Sequence, residues 1–581
     1  MGNRINLGIL IILLVLVATF AGTTQSGAAT VKLNYVALGD SLAAGYAPDG
    51  TLGKGYADYL AEDIKVAGLL GDFDNRYAVT GFTSQDVLTA LQNDKHTNLP
   101  GSPDSLGINK RLAQADIITL DIGANDLLDT VKFDAQTGTA SFDPGTVMSV
   151  PAQVEANVKD IITRIKEVSP KAQIYLMGYY NPFWALPQES QDLLTLTLSQ
   201  LNTALNMAAS SMGATFVPTQ EAIAVNSQGY LPNSRDIHPN QEGYQVIAGE
   251  FWRALKTKLD RNTLPSRQLG RQLSDNGVRI GGQDRFDTAR LIAEATYPNP
   301  LNAVILATGN NWPDALIGSV LSTKYHAPIL LVNDTPENST ATMNYIQTHI
   351  NKTGSVYILG GFSAVGSEFE TALINSGFPT AKIIRLSGLD RASTALKIDE
   401  NLDVPTGGTV FMVSDANYPD ALTVSAYATT YAYPIIPVPK DSLPVSVQDY
   451  LEAVKPSRII IAGGEGVISQ TVENQLRSLT GTVERYSGSD RYATSRALIA
   501  SLYPDNPGEV CLATGEDYPD ALAGSAYAGF WGDPIVLVPR SMDQPTKDLL
   551  HRFRGRPYTI FGGPGAVSSQ NASEVQNELE K

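Results

Sequence analysis

The C-terminal part of this chain contains a similar sequence three times, and this repeat constrains the fold more than any other feature. Each copy has an Asp-Arg pair, at 284–285, 390–391 and 490–491, and an aromatic-Pro-Asp block whose Asp lies thirty residues later. A Gly-Gly pair follows an apolar run at 360–361, 463–464 and 562–563. Motifs repeated in this order predict three similar modules, at residues 279–384, 385–484 and 485–581.

Each repeat has the pattern of a small α/β unit. Apolar runs that end in glycine, such as 303–309 and 355–361, are typical of strands that are buried on both faces. The Ala- and Leu-rich segment 313–324 is typical of a crossover helix. Cys511, the only cysteine, aligns with apolar Ile305 and Phe411, which predicts a buried core thiol and excludes an intrachain disulfide.

Two roles remain open for the repeated Asp and Arg residues. An Asp at the start of a helix can cap free backbone N–H groups, and a nearby Arg can pair with it. Alternatively, Arg can contact a ligand that carries phosphate or carboxylate groups. Acidic residues outnumber basic ones within the repeats, so such binding would need a local Arg/Lys patch, helix N-termini or bridging cations.

These motifs, spread over residues 279–581, resemble the cell wall binding repeat 2 family, which occurs in threes on Gram-positive surface proteins. The resemblance implies a pseudo-threefold arrangement of the modules and non-covalent attachment to an anionic wall polymer. It also implies a location on the cell wall or cell surface of a Gram-positive-type bacterium.

Residues 1–29 have the pattern of a targeting segment. Arg4 precedes an apolar run over residues 7–21, and small residues at 27–29 offer a cleavage site. The run is short for a membrane span, so we expect a cleaved signal peptide, a secreted protein and no stable membrane insertion after cleavage. An uncleaved N-terminal anchor is the alternative. The net charge of −17 argues against a nucleic-acid partner.

Residues 30–260 alternate strand and helix patterns and are assigned to one domain. Short apolar runs at 34–38, 115–120 and 172–177 alternate with helical patterns at 151–168, 190–211 and 241–259. This predicts a parallel sheet with helices on both faces, whose active site lies at the carboxyl ends of the strands. Residues 131–150 are predicted as a polar loop near that site, and residues 261–278 have linker composition.

Two motifs follow predicted strands in this domain, Gly39-Asp40-Ser41-Leu42 and Gly123-Ala124-Asn125-Asp126. A nucleophilic serine needs a base to take its proton and donors to hold the oxyanion. Ser41 is the candidate nucleophile and His238 the candidate base. The other histidine of the domain, His96, is expected to be solvated. Gly81 allows close backbone approach, and Asn125 supplies an amide N–H.

These blocks, in this order, resemble the GDSL or SGNH hydrolase family. The resemblance implies a flavodoxin-like domain in which Ser41 is the nucleophile and His238 the general base and acid. The backbone N–H groups of Ser41 and Gly81 and the Asn125 side chain would form the oxyanion hole. We expect no metal and no organic cofactor.

The sequence departs from the family pattern at the acidic member of the triad. The family commonly has this residue three positions before the histidine, where this chain has Arg235. We assign the role to Asp236, two positions before, although a backbone carbonyl could orient the ring and Asp236 could instead cap the following helix. Asp40 and Asp126 are expected to fix loop geometry through hydrogen bonds.

The sequence therefore predicts a secreted, wall-attached serine esterase or lipase that cleaves O-acyl esters, such as O-acetyl groups on glycan, through an acyl-Ser41 intermediate. The alternative is a non-catalytic surface-layer or adhesive protein whose hydrolase-like domain only binds a ligand.

Overall fold

The computed structural model describes residues 32–98, 105–134, 139–182, 188–224, 226–233, 236–259, 269–297, 300–311, 313–402, 407–503 and 507–580. The predicted signal peptide, Arg235 and Trp312 lie outside these residues. No helix in this part of the chain is both long and apolar enough to cross a membrane.

The N-terminal domain contains a five-stranded parallel sheet. Its strands are β1 (Leu33–Gly39), β2 (Leu70–Ala78), β5 (Ile117–Asp121), β8 (Gln173–Met177) and β9 (Thr215–Val217). Their order is β2-β1-β5-β8-β9, which is the strand order of flavodoxin-like folds. Two antiparallel hairpins accompany the sheet: β3 (His96–Asn98) with β4 (Ser105–Gly107), and β6 (Val131–Asp134) with β7 (Thr139–Phe142).

Helices cover this sheet in two groups. They are α1 (Ser41–Ala44), α2 (Tyr56–Val66), α3 (Ser84–Gln92), α4 (Ile108–Leu112), α5 (Ala124–Leu128), α6 (Pro144–Val168), α7 (Gln188–Ser211), α8 (Gln220–Ala224), α9 (Ser227–Tyr230) and α10 (Gln241–Lys256). Helix α2 packs on α10, whereas α3 and α7 both pack on α6. The predicted α/β class with a parallel sheet is confirmed.

Helix α6 has the buried face that its residue spacing predicts, but it begins earlier in the sequence than predicted. Its apolar positions are fully buried, as their spacing predicts: Val154, Val158, Ile161, Ile162 and Ile165. The helix begins earlier than predicted, however, because Asp143 caps it and Pro144 occupies its first turn. The prediction of a loop over 131–150 is therefore wrong for its described residues, which form strands β6 and β7 and the start of α6.

The repeats form three sheets whose inner strands are parallel. The first has the order β13-β12-β14-β15, the second β17-β16-β18-β19 and the third β10-β11-β22-β20-β21. Their strands are β10 (Arg271–Gln272), β11 (Gly277–Ile280), β12 (Leu301–Thr308), β13 (Ile329–Val332), β14 (Ile350–Leu359), β15 (Ile383–Leu386), β16 (Thr409–Ser414), β17 (Ile435–Val438), β18 (Arg458–Ala462), β19 (Val483–Tyr486), β20 (Val510–Thr514), β21 (Ile535–Val538) and β22 (Tyr558–Phe561).

The helices of the repeats come from equivalent segments of the three copies. They are α11 (Arg285–Thr296), α12 (Pro313–Ile317), α13 (Leu321–Tyr325), α14 (Thr340–His349), α15 (Ser367–Asn375), α16 (Arg391–Asp399), α17 (Pro419–Tyr431), α18 (Val445–Val454), α19 (Gln470–Leu479), α20 (Arg491–Leu502), α21 (Pro519–Trp531), α22 (Gln544–Arg552) and α23 (Ser569–Glu580). Cys511 is buried in β20, which confirms its prediction as a core thiol.

Each sheet takes its last parallel strand from the segment that leads into the next Asp-Arg pair. Strands β15 and β19 complete the first and second sheets, and β11 pairs in parallel with β22 in the third. The predicted linker 261–278 is thus too long at its C-terminal end, since β10 and the first half of β11 lie within it. Val278 is buried in the third sheet, which accounts for the ordered strand.

The three modules are arranged cyclically. Helices α13, α17 and α21 contact one another at the centre. The Thr429 hydroxyl donates to Ser319 Oγ at 3.0 Å between two of the copies. Around this centre, α11 packs on α21, α16 on α12, and α20 on α17, so each copy contacts the next and the first contacts the third. This is the pseudo-threefold arrangement that the resemblance implied.

The repeated Asp-Arg pairs have structural partners. Asp284, Asp390 and Asp490 each cap a helix by accepting a backbone N–H three residues later. The partner Arg residues donate to backbone carbonyls: Arg285 to Gly309, Arg391 to Asp415 and Arg491 to Gly515. The capping alternative is therefore confirmed for these Asp residues.

The C-terminal end of α10 contacts the central helices of the repeats. The Trp252 ring lies 5.4 Å from the Phe530 ring and 5.7 Å from the Trp531 ring. The Lys256 ammonium donates to the Phe530 carbonyl at 3.0 Å, and His326 Nε2 lies 3.2 Å from Asp63 Oδ1. The hydrolase-like domain and the repeats are therefore joined by packed aromatic and polar contacts.

Candidate active site

The carboxyl ends of three neighbouring strands bring the two sequence motifs together. Gly39, at the end of β1, pairs with Ala78 of β2 and with Asp121 of β5. The segments that follow these strands contain Ser41, Gly81 and Asn125, so they leave the same edge of the sheet. Gly39 has a φ of +141°, and a Cβ there would lie 2.2 Å from Asp121 Oδ1, so the position requires glycine.

Ser41, His238 and Asp236 form one chain of hydrogen bonds. Ser41 Oγ lies 2.7 Å from His238 Nε2, and the serine is only 4% exposed. On the other side of the ring, His238 Nδ1 is hydrogen-bonded to Asp236 Oδ1. The same carboxylate accepts the backbone N–H of His238 at 3.0 Å, which fixes the loop around the ring.

Asp236, and not a backbone carbonyl, therefore contacts the Nδ1 atom of His238. The alternative that Asp236 caps the following helix is wrong, because Asn240 is the cap of α10 and accepts from the Gly243 N–H at 2.9 Å. The catalytic roles of the three residues stay predictions, but their geometry is the one that those roles need.

Sequence reasoning missed the aromatic residue that packs on His238. The Tyr46 ring lies 4.7 Å from the imidazole, centroid to centroid. The Tyr46 N–H donates to the Ser41 carbonyl at 2.9 Å, and its own carbonyl accepts from the Tyr244 hydroxyl at 2.6 Å. Tyr46 thus connects the backbone of Ser41 with the ring of His238. Its position five residues after Ser41 is the only sequence signal, and it does not indicate this contact.

The first turn of α1 leaves one N–H group free. The Leu42 N–H donates to Asp40 Oδ1 at 3.0 Å, and the Ala43 N–H donates to Asp121 Oδ2 at 3.1 Å. Within the described part of the chain, the Ser41 N–H has no protein acceptor. A backbone donor next to the serine hydroxyl is what a developing oxyanion requires.

Gly81 and Asn125 lie side by side at this edge. The Asn125 amide donates one N–H to the Phe82 carbonyl at 2.9 Å, so its second N–H is available. Gly81 is exposed, has a φ of +84° and faces open space on its Cβ side. Both predicted oxyanion donors are thus adjacent, and their roles stay predictions.

A buried carboxyl pair lies behind the serine. Asp40 and Asp121 are at most 1% exposed, and the Asp40 N–H donates to Asp121 Oδ2 at 3.3 Å. The Tyr179 hydroxyl donates to Asp40, and the Tyr56 hydroxyl donates to Asp121. Burial and the neighbouring Asp40 charge raise the pKa of Asp121 well above its ordinary value. Burial raises the pKa of Asp40 as well.

The remaining candidates have the structural roles that were expected. Asp40 caps α1, and Asp126 accepts from the N–H and the hydroxyl of Ser84, at 2.8 and 2.5 Å. His96 is exposed, near Ser105 and Asp94. Among the residues that the structure describes, no group of three or more His, Cys, Asp or Glu side chains could hold a metal ion.

A flavodoxin-like domain with a serine-histidine-aspartate chain at its sheet edge, joined to three α/β modules, defines a hydrolase-type protein with a repeat region. Residues 37–246 match the GDSL-like lipase/acylhydrolase family. Residues 279–370, 385–473 and 485–572 each match cell wall binding domain 2. The chain therefore has a GDSL-like lipase/acylhydrolase domain at its N-terminus, followed by three cell wall binding domain 2 repeats.

Two curated relatives come from Bacillus subtilis (strain 168). The chain is 28% identical to N-acetylmuramoyl-L-alanine amidase LytC over 311 residues, which are 53% of this chain and 60% of LytC. It is 29% identical to the protein named amidase enhancer over 304 residues, 52% of this chain and 40% of that protein. The chain thus spans about half the length of these two relatives.

Among solved structures, Cwp6 from Clostridium difficile is similar, with a TM-score of 0.49 and 22% identity. The match covers 52% of this chain and 48% of Cwp6.

Proposed function

We propose that this protein is a wall-attached serine esterase that hydrolyses O-acyl esters through an acyl-Ser41 intermediate. The observation that carries the proposal is the 2.7 Å contact between Ser41 Oγ and His238 Nε2, with Asp236 on the other ring nitrogen. A binding domain would not need a nucleophile, a base and a free N–H donor at one point.

In the proposed reaction, His238 Nε2 takes the Ser41 proton while the Ser41 oxygen attacks the ester carbonyl. The Ser41 and Gly81 N–H groups and the Asn125 amide would stabilise the oxyanion. Protonated His238 then donates to the leaving alcohol. A water molecule, deprotonated by the same ring, releases the acid from Ser41. Asp236 fixes the ring and balances its charge.

Ester hydrolysis is favoured by the match to the lipase/acylhydrolase family. LytC is named an amidase, so cleavage of a wall amide is the second candidate. Both reactions pass through an acyl enzyme, and they differ in the leaving group that His238 must protonate. A panel that contains p-nitrophenyl acetate, acetylated chitotetraose and N-acetylmuramoyl-L-alanine separates them, and we expect acid release from the two esters alone.

The decisive variant is Ser41→Ala, with exposed Ser210→Ala on α7 as the matched control. We expect Ser41→Ala to lower kcat on p-nitrophenyl acetate by at least about a thousandfold, because the acyl intermediate cannot form. Labelling by a fluorophosphonate should add mass to the peptide that contains residue 41. Equal rates for Ser41→Ala and wild type would overturn the proposal and favour the non-catalytic alternative.

We also propose that the protein is secreted and that its repeats hold it on an anionic wall polymer. The three matches to cell wall binding domain 2 support this location. The full chain should sediment with purified Gram-positive walls and remain in solution with walls that have been stripped of anionic polymer. Equal sedimentation with both preparations would contradict the choice of polymer.

A further inference from the structure

A cleft of about 560 Å³ lies next to the proposed oxyanion hole. It is lined by the start of α3, by the end of α5 and by the first turns of α6. The lining residues are Thr83, Asp126, Asp129, Thr146, Ser149, Val150, Ala152 and Gln153.

Chain connectivity places this cleft next to the proposed oxyanion donors. Thr83 is two residues from Gly81, a separation of at most about 7 Å along the chain. Asp126 directly follows Asn125, and the Asn125 amide is bonded to the Phe82 carbonyl. The cleft therefore begins next to the segments that carry both donors of the proposed hole.

The lining is suited to hydroxyl groups. Six of its eight residues carry a hydroxyl, a carboxylate or an amide, and two are acidic while none is basic. Carboxylates accept hydrogen bonds from sugar hydroxyls. Two carboxylates repel phosphate or carboxylate groups, and a polar lining gives no burial for an acyl chain.

Hydrogen bonds hold part of this lining in place. The Asp126 carboxylate is fixed by Ser84, whose hydroxyl also accepts from the Asn157 amide at 2.8 Å. Gln153 donates to Asn157 Oδ1 at 3.0 Å, which leaves its carbonyl oxygen available. Asp129 is exposed, and its carboxylate has no protein partner within the described residues. A fixed wall and a free carboxylate are what a binding subsite for an outside ligand needs.

We propose that this cleft binds the alcohol part of the ester and that this part is an uncharged carbohydrate, an inference that rests on the proposed esterase function. This subsite lies in the N-terminal domain and not in the three repeats, so we assign it to the ester substrate and not to the wall polymer. Asp129 and Gln153 are its specificity-determining residues, and neither takes part in proton transfer.

The test compares Asp129→Ala and Gln153→Ala with Asp160→Ala, an exposed acidic residue farther along α6. We expect Asp129→Ala to raise KM for O-acetylated chitotetraose about tenfold, because it removes a charge-assisted hydrogen bond. For p-nitrophenyl acetate, which has no sugar, kcat/KM should stay within about twofold. Asp160→Ala should change neither substrate.

Binding provides a second measurement that does not depend on turnover. Chitotetraose should bind the full-length Ser41→Ala protein in calorimetry and bind the Ser41→Ala/Asp129→Ala protein about tenfold more weakly. An Asp129→Ala variant with unchanged KM for the acetylated glycan, or Ser41→Ala protein that does not bind chitotetraose, would overturn this subsite. If p-nitrophenyl acetate hydrolysis survives Ser41→Ala, the esterase proposal itself has failed, so the two failures are distinguishable.

Discussion

Lys256 lies at the junction between the N-terminal domain and the repeats. Its side chain is 4% exposed, and its ammonium donates to the Phe530 carbonyl in the last turn of α21. The Gly532 cap of that helix lies against the same side chain. Buried Asp63 is a further neighbour: burial raises the pKa of its carboxyl to about 6, and the nearby His326 and Lys256 charges partly oppose this shift. We predict that Lys256→Met weakens the junction.

The size of the effect follows from these contacts. A hydrogen bond with a charged partner contributes about 1.5–3 kcal/mol. A cation at a partly buried helix C-terminus contributes up to about 2 kcal/mol more. Methionine retains the apolar stem but leaves the Phe530 carbonyl without this donor, while the cost of burying the ammonium disappears. The net loss should be about 2–4 kcal/mol.

The measurement is the urea midpoint of the full chain, followed through the loss of the proposed esterase activity. With a slope of about 2–3 kcal/mol per molar for an ordinary domain, the midpoint should fall by about 1 M. Lys258→Met, two residues away and exposed, is the matched control and should shift the midpoint very little. Equal midpoints for the two variants would refute the reasoning, because Lys256 would then contribute no more than a surface lysine.

Three further predictions concern buried groups and the base. Asp399 is 2% exposed, and neither of its oxygens has a hydrogen-bond partner within the described residues; burial raises its pKa well above the ordinary value. The folded protein then binds this proton more tightly than the unfolded chain does, so this contribution to stability is present below about pH 4 and is lost as the pH rises. Asp399→Ala, which introduces the residue found at equivalent Ala293, should raise the urea midpoint at pH 7 and change it little at pH 4; a lower midpoint at pH 7 would contradict this. Asp121→Asn should retain stability to within about 1 kcal/mol at pH 7, because burial and the Asp40 charge raise the pKa of Asp121 and so favour its neutral form, which asparagine resembles in shape and charge, whereas Asp40→Asn should lose more; similar urea midpoints for the two variants would contradict this. Tyr46→Leu should lower kcat about tenfold with little change in KM, because the His238 ring loses a packing partner, and Tyr46→Phe should restore kcat; equal loss in both variants would point to the hydroxyl instead.

The parts of the fold that the sequence predicts are those encoded locally or by repetition. The buried face of α6 follows from the spacing of its own residues, and the three modules follow from three similar copies. The pairing of β11 with β22, which completes the cyclic arrangement of the modules, does not follow from local sequence. Residues 277–280 pair there with residues 558–561 of the last copy. Three similar repeats offer each edge strand several similar partners, and only the packing of the whole assembly selects one.

Some residues of the candidate site can be predicted from short motifs, and others cannot. Ser41, Asn125 and His238 are predicted because each lies in a short motif with its own chemistry. Asp121 and Tyr46 belong to no motif. Asp121 contacts the first turn of α1, and Tyr46 packs on the His238 ring, so both are placed at the site by tertiary contacts. Burial raises the pKa of Asp121, and burial is a property of the assembled sheet that no residue type shows on its own.

Helix α10 connects the candidate site with the repeats. It begins directly after the loop that carries His238 and ends at Lys256 against the repeats. At 1.5 Å per residue its sixteen residues span about 24 Å. A helix is a rigid element, so the direction of the site relative to the three modules is set at the Lys256 junction and not by a flexible linker. An enzyme held in this way on a wall polymer would present Ser41 to esters in one direction only.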